Sequence, residues 1–113
     1  MAFAFGDICL TEFDPSVGHE YRDIRPALVI QEDYISAVSP YVTVLPITSK
    51  IDKHFAPDVF IQKDEKNKLM MDSVIKVRHI SSFDKTRILA RIGQAGSPVI
   101  RQVRGYLRRH FGL

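Results

Sequence analysis

Pro26-Ala27-Leu28-Val29-Ile30 is the stretch that most constrains how this chain folds, because it is apolar at every consecutive position. A run without polar alternation is expected of a strand covered on both faces, so it predicts a central strand. Other short β-rich runs surround it. Candidate strands span Asp7 to Phe13, Pro26 to Gln31, Tyr41 to Ile47, Asp58 to Gln62, Ser73 to Ile80 and Arg87 to Gly93, with breaks at the "DPSVG", "SP" and "DEKN" clusters. The pattern is that of a small all-β core.

At 113 residues and 45% apolar content, the chain has enough material for one hydrophobic core. A single domain over residues 1–113 is expected. No apolar run approaches the roughly 18 residues of a membrane span. The opening "MAFAFGDICL" lacks a basic leader and reaches Asp7 early, so a cytoplasmic protein without membrane attachment is expected. The lone Cys9 fits a reducing compartment and reads as a buried thiol.

Charge is distributed unevenly. Residues 1–84 carry 9 Lys and Arg against 13 Asp and Glu, a net of −4; residues 85–113 carry 7 basic residues and no acid, a net of +7. Such a cationic element suits a polyanion or an acidic protein partner, and equally a solvated helix face.

The segment "SPVIRQVRGYLRRHFGL" switches to helical period. Ser97 is a candidate cap, Pro98 suits the first helical position and Gly112 closes the end. Val99, Val103, Tyr106 and Leu107 share one side, Arg101, Arg104 and Arg108 largely another, so packing on the β core is its expected role.

Metal sites need clustered ligands, whereas His19, His54, His79, His110 and Cys9 are scattered. No metal and no cofactor are expected, and no Gly-rich phosphate loop joins a strand to a helix. The polar stretch before the central strand is the first candidate site. His19 offers a side chain of a type able to titrate near neutral pH and Arg25 a forked cation that matches phosphate, although Glu20 and Asp23 also suit plain pairing with Arg22 and Arg25. Thr48 and Ser49 place hydroxyls at the end of the "YVTVLPI" run, where sites are built and where simple turns also occur. In "SVIKVRHI", alternation sends Ile75, Val77 and His79 to one face and Lys76 and Arg78 to the other, either a phosphate-binding stripe or a charged edge.

Taken in order, "GDICLTEFDPSVGHEYRDIRPALVIQ", "VTVLPITS", "DSVIKVRHISSFDKTRI" and "RIG" resemble the MazF/PemK (Kid-like) toxins of type II toxin-antitoxin systems over nearly the whole chain. The resemblance implies a mainly β fold: an SH3-like barrel of the CcdB/MazF/Kid type with a C-terminal helix and short helical segments. It further implies a two-fold homodimer and metal-independent, sequence-specific cleavage of single-stranded RNA, with messenger RNA the expected class. A cognate antitoxin with an acidic, disordered segment is the implied inhibitor.

By the same resemblance the chief catalytic groups fall on Arg25 and Thr48, with His19 the candidate for proton transfer. Glu20, Ser49, Lys76 and Arg78 are the candidate RNA contacts. Some family members carry an Arg-x-Asp pair where this chain has Lys76-Val77-Arg78, so Lys76 and Arg78 suit phosphate or base contacts better than proton abstraction. The implied reaction is attack of a ribose 2'-hydroxyl on the adjacent phosphate, leaving 2',3'-cyclic phosphate and 5'-hydroxyl ends. The alternative is a non-cleaving barrel that binds nucleic acid or a protein target such as a topoisomerase, as the similarly folded CcdB toxins do.

Overall fold

The computed structural model describes residues 3–13, 23–51 and 58–113. Among these residues seven antiparallel strands and two α-helices follow one another in this order: β1 (Asp7–Phe13), β2 (Asp23–Val29), α1 (Asp33–Val38), β3 (Tyr41–Thr48), β4 (Val59–Ile61), β5 (Ser73–Ile75), β6 (Ser81–Asp84), β7 (Ile88–Gln94) and α2 (Ser97–Phe111), with a 3-10 turn, Lys85–Arg87, joining β6 to β7. The sheet runs β4-β5-β3-β2-β1-β7, with β6 also paired to β3.

The central-strand expectation holds. Ala27, Leu28 and Val29 are wholly buried in β2, which pairs with β1 on one side and β3 on the other. Burying aliphatic side chains of this size contributes about 1.5–3 kcal/mol each. Residues on one side of the sheet, including Ile8, Leu28, Leu45, Ile47, Ile61 and Ile75, form one core cluster. Cys9, Ala27, Val29, Val42 and Val44 form a second with Phe3 and Phe13.

Helix α2 caps the first cluster with Val103, fully buried, and with Val99, Ile100, Tyr106 and Leu107. Its start lies one residue earlier than expected: Gly96 holds the cap position, Ser97 is already helical and makes no capping bond, and Pro98 occupies the first turn. Its end is as expected, with Gly112 left-handed at φ 69° and its N–H bonded to the carbonyl of Arg108.

Three local readings are corrected. The strand expected over Ser73 to Ile80 stops at Ile75, because Val77 N–H turns back to Ile75 O and His79 N–H to Lys76 O. Lys76 and Arg78 therefore do not share a strand face, and His79 is exposed while Val77 is buried. The resemblance implied short helical segments without placing them, and strand β6 was not expected; α1 and β6 are short, six and four residues, below the length at which a period declares itself.

No helix among the described residues is long and apolar enough to cross a membrane.

Candidate active site

A cleft of about 530 Å³ opens where β2 and β3 separate. Their ladder runs Val29↔Val44, Leu28↔Leu45 and Ala27↔Pro46, then stops. Pro26 and Pro46 lie at this end, and neither has an N–H with which to extend the ladder. Past it, β2 stays with β1, Arg25 opposite Thr11, while β3 turns to β5, Thr48 opposite Val74. Extending the β2–β3 register by two residues sets Arg25 against Thr48. The two side chains thus belong to one face of the sheet, across a gap that the prolines open. Both line the cleft.

Arg25 is oriented by its own strand. Asp23, two residues earlier on the same face, accepts from Arg25 Nε at 3.0 Å and lies 2.8 Å from Nη2. This is the forked geometry in which guanidinium and carboxylate fit best. Thr48 Oγ1 accepts from Lys50 N–H at 3.2 Å, which fixes the turn leaving β3. Its hydroxyl hydrogen remains available as a donor. Ser49 and Lys50 follow, both exposed and both lining the cleft.

The opposite wall comes from the segment between β4 and β5, Lys68, Leu69, Met70 and Met71, and from Ser73 at the start of β5. Met70 and Met71 are 90% and 60% exposed, and Ile24 across from them is 50% exposed, giving the rim a pliable apolar character. Sequence reasoning reached Arg25, Thr48 and Ser49 but missed Lys50, Lys68 and this methionine pair. Lys50 simply follows Ser49, whereas Lys68 and the methionines join the site because the chain folds back from β4, which no local period announces.

Of the remaining candidates, His19 and Glu20 lie outside the described residues. Lys76 is not part of the cleft lining; its ammonium sits 2.7 Å from Asp58 Oδ2, with the two side chains 12% and 0% exposed. Its backbone N–H bonds to Pro46 O, so Lys76 ties the turn after β5 to the strand that carries Thr48. Arg78 is exposed. Cys9 is buried as expected, and burial, reinforced by the Asp7 carboxylate against the opposing Arg91 cation, raises its thiol from 9.0 to about 11. Among the described residues no three His, Cys, Asp or Glu side chains gather as a metal cluster.

Comparison with known proteins agrees with this architecture. The model of the PemK-like, MazF-like toxins of type II toxin-antitoxin systems matches residues 4–111. The chain belongs to that family. An Endoribonuclease MazF of Staphylococcus saprophyticus is 32% identical to this PemK/MazF-like toxin over 108 residues, 96% of this chain and 90% of the relative. The crystal structure of MazF from Deinococcus radiodurans superposes with a TM-score of 0.80 at 26% identity, covering 100% of this chain and 99% of the other. A MazE-MazF crystal structure from the same organism gives 0.82 at 26% identity, covering 100% and 98%. The mainly β fold with its C-terminal helix is that of the MazF structures.

Proposed function

We propose that this toxin is a metal-independent, sequence-specific endoribonuclease acting on single-stranded RNA. The observation that carries the reading is that Arg25 and Thr48 line one cleft, where β2 and β3 part. The relative named Endoribonuclease MazF supports it.

In the proposed step the 2'-oxygen bonds to phosphorus and the bond from phosphorus to the 5'-oxygen breaks. A proton leaves the first oxygen and one reaches the second. Arg25 offsets the charge gathering on the phosphoryl oxygens, and the Thr48 hydroxyl donates to one of them; preorganised donors of this kind lower a barrier by about 3 kcal/mol each. His19 is the proposed proton carrier, a role worth roughly 100-fold to 10,000-fold. Glu20, Ser49 and Arg78 are the proposed RNA contacts. The bonding of Lys76 to Asp58 favours a structural role for that lysine.

The chemistry of the lining supports a route without metal. Among the described residues, cations and hydroxyls dominate its polar groups, and the carboxylate there, Asp23, is bonded to Arg25. Membership in a toxin-antitoxin family supports a cognate antitoxin as inhibitor, and an acidic, disordered segment complements the cations at the cleft. The homodimer and a cytoplasmic location remain part of the same reading.

The test is incubation of wild type and Arg25→Ala with long single-stranded RNA in EDTA, with mapping of the fragment ends. Cutting by wild type alone at a repeated short sequence, leaving 5'-hydroxyl ends, is the expected result. Equal cutting by Arg25→Ala overturns the assignment of Arg25, and no cutting by folded, antitoxin-free wild type overturns the function.

A further inference from the structure

Lys68 is the one non-glycine residue among those described that has a positive φ, at 59°. Left-handed backbone is unfavourable for a side chain with a Cβ, and such outliers persist where the surrounding structure over-determines them. Here it does so heavily. Asn67 is buried, its Oδ1 accepting from Asp64 N–H at 3.0 Å and Leu69 N–H at 3.0 Å while Nδ2 donates to Gln62 O at 2.9 Å. Asp64 Oδ1 accepts from Lys66 N–H and Asn67 N–H, and Lys68 N–H bonds to Asp64 O.

The loop is also pinned from beneath. Gln94 N–H bonds to Lys66 O at 3.0 Å, and a Cβ on Gly93 would stand 2.5 Å from Asn67 O. The loop backbone therefore lies directly on β7, with no room for a side chain between. Lys68 lines the cleft that Arg25 and Thr48 line, whereas Lys63 and Lys66 on the same loop do not. Among the described residues no carboxylate lies within ion-pair distance of the Lys68 ammonium.

We propose that Lys68 is a substrate-binding residue that takes an RNA phosphate neighbouring the one held by Arg25. This rests on the reading that the cleft receives RNA. A cation on a tethered loop adds affinity that is sequence-independent and salt-sensitive. Arg25, already bonded to Asp23, cannot supply that alone. A glycine would suit the backbone at this position without strain, so a lysine kept there points to use of its side chain.

The experiment measures binding of a random-sequence, fully 2'-O-methylated RNA pool across a salt series, using the full chain as wild type, Lys68→Gln, Lys68→Gly and Lys66→Gln. Because this RNA resists cutting, the result stands whether or not the protein proves to be a nuclease. In both Lys68 variants the slope of log affinity against log salt should shrink by about 0.7, the value for one phosphate on a single strand. Lys66→Gln should match wild type. Lys68→Gly should bind weakly while melting no lower than wild type, which separates the lost cation from any lost fold. On a cleavable RNA the KM should rise with kcat kept. Lys68 variants that bind like wild type, or no worse than Lys66→Gln, overturn the proposal. Failure of wild type to cut a cleavable RNA overturns the nuclease reading instead.

Discussion

Arg25 and Asp23 form a two-pronged pair along a single strand, Nε to Oδ1 at 3.0 Å and Nη2 to Oδ2 at 2.8 Å. An incoming phosphate must share the guanidinium with that carboxylate. Asp23→Asn should therefore bind RNA more tightly, with a lower KM, and turn over more slowly because the fork loses its guide. Both partners are over a third exposed, 38% and 43%, so the unfolding free energy should move by less than about 1 kcal/mol. Separate measurement of KM and kcat, beside a urea titration, checks this; an unchanged KM would count against competition at Arg25.

Thr48 is tested by Thr48→Ala and Thr48→Ser. Loss of a hydroxyl that donates to the phosphoryl oxygen should lower kcat roughly 100-fold to 1,000-fold. Serine, keeping the hydroxyl, should restore most of it. Because Thr48 ends its strand partly exposed, the melting temperature should shift little in either variant, as read by circular dichroism.

Lys76→Met should leave the Asp58 carboxylate buried without its ammonium. Breaking a buried pair costs about 3–5 kcal/mol, so the urea midpoint should fall clearly. At temperatures well below melting, KM for RNA should stay near that of wild type. A raised KM with unchanged stability would instead return Lys76 to the RNA contacts.

Cys9 provides a pH test. Its thiol ionises near 9.0 when unfolded and at about 11 in the fold. Between those values the unfolded chain has lost the proton and the native chain keeps it. Stability should therefore decline as pH rises from about 9 to about 11, and the decline should vanish in Cys9→Ala. At neutral pH the native thiol should resist alkylation that the urea-unfolded chain undergoes, as mass spectrometry would record.

Much of the framework was legible from residues alone. β1 has the bounds expected of it, Asp7–Phe13, because its neighbours mark both ends. β2 reaches three residues further back than expected, to Asp23: its polar residues look like loop, yet their backbone pairs with Phe13, Glu12 and Thr11. β5 was expected to be longer because the alternation in "SVIKVRHI" continues past the point where the hydrogen bonds turn inward. At the site, Arg25 and Thr48 stand out through the resemblance to the MazF/PemK toxins, since residue type alone equally suits an ordinary ion pair and a plain turn. Lys68 does not, since its importance lies in a backbone angle and in the nearness of Gly93, neither of which one-dimensional order records.

β3 bonds to three other strands, β2, β5 and β6, and Val42, Val44 and Leu45 within it are wholly buried. Amides in so shared a strand exchange with solvent only when the whole molecule opens. The facing wall, Lys68 to Met71, lies outside any ladder and is tied through the Asp64 and Asn67 side chains and a few turn bonds. The two banks of the cleft thus differ in how long they survive thermal fluctuation: the bank with Thr48 lasts as long as the fold, and the bank with Lys68 lifts first. Warming should therefore raise the KM for RNA before it unfolds the chain.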